Sequence, residues 1–145
     1  MRIQIVVTVC CLLFGASCSV AQPGMYGTTS KKAIKLYEEA NICFKDLDPR
    51  TGKRRSLDCA RSNALKALEK DPQFIDALLL MAEIKIVEED YAEAIAYKEK
   101  VLEITPNYSA NELYYIASLA MGMGNYDKGL KFSKHFLASR NTNEF

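Results

Sequence analysis

A chain of 145 residues with 19 Lys and Arg against 18 Asp and Glu is long enough for one small domain and nearly neutral, at +1. Its 49% hydrophobic and 26% charged content excludes a disordered chain, and the charge balance offers no footing for nucleic acid or an anionic membrane surface. Only 7 Gly and 4 Pro interrupt it, most of them at the ends or between periodic segments.

Residues 1–21 read as a secretory signal peptide. Arg2 supplies the positive start, residues 3–14 form an apolar run broken only by Gln4 and Thr8, and small residues fill 15–21. The run is too short for a membrane span of about 20 apolar residues. Two processing sites compete: Ser19-Val20-Ala21 is a small-x-small cleavage site, whereas Gly15-Ala16-Ser17-Cys18 resembles a bacterial lipoprotein box that lipidates Cys18 and gives a membrane anchor, with Gly15 departing from the usual Leu. Residues 22–29, with Pro23, Gly24 and Gly27, read as a flexible leader.

Ser30 is the expected N-cap of a first helix, whose apolar positions are Ala33, Ile34, Leu36, Tyr37, Ala40 and Phe44. Pro49, Gly52 and several charges break the pattern over 46–55. A second helix starts near Ser56, with Leu57, Ala60, Ala64, Leu65, Ala67 and Leu68 on its apolar side, and ends at Asp71-Pro72 because proline cannot continue the ladder. Two further pairs follow: helices over about 74–87 and 91–103, stopped by Thr105-Pro106, then over about 110–121 and 126–139, joined by Gly122-Met123-Gly124-Asn125, with Ser109 as N-cap. No segment alternates long enough to predict a strand. The expected architecture is all-α: six helices in three hairpins.

Cys43 and Cys59 fall at the end of the first helix and the start of the second, which an antiparallel hairpin brings together. In an oxidising compartment they form a disulfide; otherwise they are two buried thiols. The remaining Cys10, Cys11 and Cys18 belong to the leader. Neither a metal nor a cofactor is expected: His135 is the one histidine, no Cys-x-x-Cys spacing occurs, and there is no phosphate loop, zinc-peptidase pattern or nucleophile elbow. No enzymatic activity is expected either. Arg50, Lys53, Arg54 and Arg55 read as a solvated basic turn, and Asn107-Tyr108-Ser109 as a chance glycosylation sequon.

Pro72 and Pro106 lie 34 residues apart, and the pattern between them is Leu78, Met81, Ala82, Ala94, Val101 and Pro106. Ala33, Leu36, Tyr37, Ala40, Ala60, Ala64 and Ala67 form a first version of it, and Leu113, Ile116, Ala117, Ala120, Gly129 and Phe136 a third. Residues 30–139 thereby resemble three tetratricopeptide repeats, at about 30–72, 73–106 and 107–139, followed by a tail at 140–145. Lys85 and Lys98 depart from the aromatics that family places there. The resemblance implies three hairpins stacked in a right-handed superhelix, with the first helix of each lining a concave face. Carried over by position, that face holds Ile34, Leu79 and Tyr114, then Glu38, Glu83 and Ser118, then Asn41, Ile86 and Met121. The ladder is apolar and edged by two acids, which suits a peptide with apolar anchors and positive charge. Leu79 and Glu83 stand where Lys and Asn grip a C-terminal carboxylate in chaperone-binding relatives, so that role is disfavoured.

The leader and short array also resemble the N-terminal part of exported repeat proteins of Bacteroidota-type bacteria, in which a β-propeller and an OmpA-like domain often follow. The implied function is an exported protein–protein interaction scaffold of the cell envelope, in the periplasm or at the outer membrane. The rival is a regulatory or substrate-delivering domain of a larger enzyme whose catalytic part is not in this chain. Because arrays normally carry a polar capping helix and none follows 107–139, a truncated product or an excised module is the expectation.

Overall fold

Helical spacing of small and apolar residues produces six α-helices and no strand over residues 26–141, the part of the chain that the computed structural model describes. They are α1 (Lys31–Lys45), α2 (Leu57–Lys70), α3 (Ile75–Val87), α4 (Tyr91–Ile104), α5 (Ala110–Gly122) and α6 (Tyr126–Asn141). Among the described residues no helix is long and apolar enough to cross a membrane. The signal peptide expected at 1–21, Cys18 within it, the first part of the leader and the end of the tail lie outside the described residues.

Short polar side chains start α1, α4 and α5 by satisfying amide donors that have no partner within the helix. Ser30 Oγ accepts from the Ala33 amide at 3.3 Å, Ser109 Oγ from the Asn111 amide at 3.2 Å, and Asp90 Oδ1 from the Glu93 amide at 3.3 Å. The turns inside the second and third hairpins share one geometry. Glu89 has φ 61° and Gly124 has φ 76°, and the next residue's amide reaches back to the helix: Asp90 to the Lys85 carbonyl at 2.9 Å, Asn125 to the Ala120 carbonyl at 2.8 Å. Glycine adopts this left-handed conformation without a Cβ penalty, whereas Glu89 does so against it. Gly122 continues α5, so the turn starts one residue later than the glycine pattern predicts.

The helices pair as α1–α2, α3–α4 and α5–α6, and each pair touches only its neighbours in the series. α2 packs on α3 and α4 on α5; α1 also lies beside α3, whereas the third hairpin joins the second through α4 and α5 alone. Alanines make the close approaches: Ala33, Ala40, Ala60, Ala64, Ala67, Ala77, Ala82, Ala94, Ala117 and Ala120 are all buried. At Gly129 an added Cβ would meet Met121 Cγ at 2.5 Å and the Ala117 carbonyl oxygen at 3.4 Å, so α6 sits on α5 more closely than a larger side chain permits.

Residues 26–29, read from sequence as part of a flexible leader, are anchored. Thr28 is buried, and the Tyr26 ring meets the rings of Tyr37 and Phe74 edge-on, with centroids at 5.7 and 6.4 Å. Tyr37 and Phe74 meet each other at 5.2 Å.

Candidate functional site

Helix periodicity places every fourth residue of α1 and of α3 on one face, and because these two helices lie side by side their faces merge. The merged surface is a cleft of about 420 Å³ lined by Tyr37, Asn41, Phe44, Asp76, Leu79 and Glu83, among others. Three residues expected at a concave face therefore come together: Asn41, Leu79 and Glu83. Ile34 packs half-buried against the ring cluster around Phe74, and Glu38 is exposed and accepts a hydrogen bond from the Tyr26 hydroxyl at 3.2 Å. Ile86 is half-buried near the end of α3.

The three residues from α5 are placed differently. Tyr114 is exposed, and its ring leans on Phe136 of α6 with centroids 5.8 Å apart. The Met121 side chain covers Gly129 of α6. Ser118 lines a separate cleft with Tyr91, Leu119, Gly122 and Met123.

Charges of both signs line the α1–α3 face: Asp76 and Glu83 from α3, Lys45 and Arg54 from the end of α1 and the loop after it. Asp76, in the first turn of α3, accepts from the Gly27 amide at 3.5 Å. Burial, and then the Asp76 charge, pushes the Tyr37 hydroxyl above the usual phenol range. Burial does the same for Tyr26, followed by its hydrogen bond to Glu38, and for Tyr108, followed by Asp76. All three phenols keep their protons at neutral pH and act as hydroxyl donors and acceptors near Asp76 or Glu38. Neither Asp76 nor Tyr26 was legible as a site residue: Asp76 reaches the cleft from the first turn of α3, and Tyr26 joins Tyr37 and Phe74 only because the leader folds back over α1 and α3.

The two lysines that break the aromatic pattern both form ion pairs. Lys85 Nζ lies 2.7 Å from Glu93, 3.1 Å from Glu88 and 3.6 Å from Asp90, and the bonds to Glu93 and Glu88 raise its pKa far above the ordinary value. Glu88 also accepts from Arg61 of α2, which bonds Asp58 as well. Lys98 is 2% exposed; its Nζ lies 2.8 Å from Glu112 Oε2, 3.9 Å from Glu83 Oε1 and 5.0 Å from the centroid of the Tyr115 ring. Glu83 thus stands between the cleft and the buried pair that joins α4 to α5.

The Cys43 and Cys59 sulfurs are joined in a disulfide, with Cα atoms 5.9 Å apart. It closes the base of the 46–55 loop. Above it Leu47 and Arg54 form an isolated antiparallel bridge, and Arg54 lies over the Phe44 ring while donating to the Phe44 carbonyl. Asp48 Oδ1 accepts from the Arg50 amide at 2.8 Å, so the turn is ordered from within. Lys45, Arg50, Lys53 and Arg55 are exposed on it.

No group of three or more His, Cys, Asp or Glu side chains able to hold a metal occurs among the described residues. His135 is exposed on α6, in a notch with Pro106, Ser109 and Leu113. No protein-family model matches the chain, and no curated protein matches its sequence.

Proposed function

We propose that this chain is an exported, tetratricopeptide-like scaffold of the bacterial cell envelope that holds a polypeptide partner along the face of α1 and α3. The observation that carries the reading is the cleft that gathers Leu79 and Asn41 with the acids Asp76 and Glu83, and with Lys45 and Arg54 also on its lining. Its small apolar floor, with two acids from α3 facing two cations from the end of α1 and the loop after it, supports an extended or helical segment that has apolar anchors and sets Lys or Arg beside Asp76 and Glu83. The nearest-neighbour packing of the hairpins supports the repeat interpretation, since repeat units bury their apolar faces on one another and leave a continuous surface free. A right-handed superhelix and a concave surface continuing onto α5 are part of the proposal. The Cys43–Cys59 bridge supports export, because structural disulfides persist in oxidising compartments.

The test is a pull-down from envelope extract with wild-type chain, Leu79→Arg and Tyr114→Ala. Leu79→Arg sets a cation into the cleft and should abolish recovery of a wild-type-specific partner. Tyr114→Ala should reduce it if the surface extends to α5. Equal recovery of every protein by all three chains contradicts the proposal.

A further inference from the structure

The three hairpins close their turns by different means, and the first relies on a covalent bond. In the second and third, residues 88–90 and 123–125 connect the helices, and backbone bonds from Asp90 to the Lys85 carbonyl and from Asn125 to the Ala120 carbonyl hold the helix ends together. In the first, residues 46–56 lie between the helices, a longer connection that costs more entropy to close. Bonds from Arg55 to the Asp46 carbonyl and from Asp48 to the Lys53 carbonyl order this loop from within. Ser56 leaves the first amides of α2 without a side-chain cap; its hydroxyl donates to Asp46 Oδ2 at 3.1 Å instead. What ties the last turn of α1 to the first turn of α2 is the Cys43–Cys59 bridge.

The same end of the hairpin supplies one wall of the α1–α3 cleft. Phe44 and Lys45 follow Cys43 directly, Arg54 comes from the loop, and all three line the cleft together with Leu79, Leu80 and Glu83 of α3. The Arg54 guanidinium is held over the Phe44 ring and donates to the Phe44 carbonyl, one residue from the bridge. Taking that cleft as the partner site, we propose that the bridge gates it. With both thiols free, the wall made by Phe44, Lys45 and Arg54 is loose and the cleft does not hold a polypeptide; oxidation sets the wall and makes the cleft competent. Forming the bridge removes one proton from each Sγ, joins the two sulfurs and passes two electrons to a disulfide of a thiol oxidoreductase, which leaves as a dithiol. Cys59 is exposed, which gives that oxidant access. A chain in a reducing compartment is thereby kept from its partner until export brings it to an oxidising one.

Benzoylphenylalanine at Leu79 of the full chain, cross-linked in the producing cell, reads the cleft with the natural cysteines and with Cys43→Ser plus Cys59→Ser. The adduct should fall at least about tenfold in the Ser pair at equal chain recovery, as a competent state reduced by that fraction requires. Hydrogen exchange of the purified full chain, before and after a dithiol reductant, separates a gate from a general staple. Exchange should quicken at least about tenfold over residues 41–60 and stay unchanged over α4, α5 and α6. The same adduct yield from both chains overturns this proposal and leaves the cleft standing as the partner site. No adduct from either chain overturns both. Exchange that quickens equally in all six helices, or in none, also overturns it, because the bridge is then a staple for the whole fold or leaves the wall unaffected.

Discussion

The two junctions between hairpins are built on different physics. Where the first hairpin meets the second, Ala33, Ala67 and Ala77 let backbones approach around Phe74, three aromatic rings interlock edge to face, and the ion pair Arg61–Glu88 stays at the partly exposed edge. Where the second meets the third, Ile95, Leu113 and Ile116 share the contact with the Lys98–Glu112 ion pair. Apolar burial stabilises in proportion to area and tolerates small shifts. A buried ion pair recovers its desolvation cost only in one geometry, so it fixes register more than it adds stability. The first junction is therefore the stronger and the second the more exacting, which suits an assembly whose third hairpin is gripped by α4 alone.

Phe74→Ala should break the first junction most severely, at a cost of about 4 kcal/mol in urea unfolding, because a fully buried ring leaves a cavity among alanines that cannot move in. Lys98→Ala should cost about 3 kcal/mol by stranding the Glu112 carboxylate. The sharper comparison is Lys98→Met with Glu112→Leu, which should lie within about 1 kcal/mol of wild type. A double variant as unstable as the single one would mean that the pair supplies net stability. Replacing both Cys43 and Cys59 by Ser should cost about 2–3 kcal/mol, given a separation of 16 residues. Peptide mass mapping that finds both thiols free in the unreduced protein would remove that contribution.

Alkaline pH should separate the junctions further. Tyr26, Tyr37 and Tyr108 hold their protons more tightly when folded, so above the ordinary phenol pKa of about 10 unfolding releases protons and stability falls as pH rises. Below that pH these groups leave stability unchanged. Tyr37→Phe should flatten the alkaline limb in denaturant midpoints measured across the range. The smallest effect belongs to the turns: Glu89→Gly should stabilise by about 0.5–1 kcal/mol by relieving φ 61°, and Gly124→Ala should destabilise by about 1 kcal/mol.

Most of the helical framework was legible because its signals are local. Ser30 and Ser109 cap, Pro72 and Pro106 stop, and alanines at helical spacing mark the faces that pack. The ends were less legible: α5 takes in Gly122, and α6 runs to Asn141, because an exposed glycine and a polar tail can each continue a helix by a residue or two without a local signal. What escaped the sequence is what depends on register between distant segments. Lys98 and Glu112 lie on different helices and meet only after α5 is seated on α4. Lys85 looked like a flaw in an aromatic pattern, yet its ammonium gathers three acids around the α3–α4 turn. Tyr26 read as leader because one aromatic between glycines carries no periodicity. At the candidate face, Asn41, Leu79 and Glu83 share a cleft, while Tyr114 and Met121 turn toward α6 because Gly129 and Phe136 offer them closer packing.

The central claim is that the surface shared by α1 and α3 receives another polypeptide. Photo-cross-linking in the producing cell tests it most directly, with benzoylphenylalanine at Leu79 in the cleft and at Lys66 on exposed α2 as control. The expected result is a discrete adduct from position 79 that is absent from position 66. No adduct from position 79, or the same adducts from both, would contradict it.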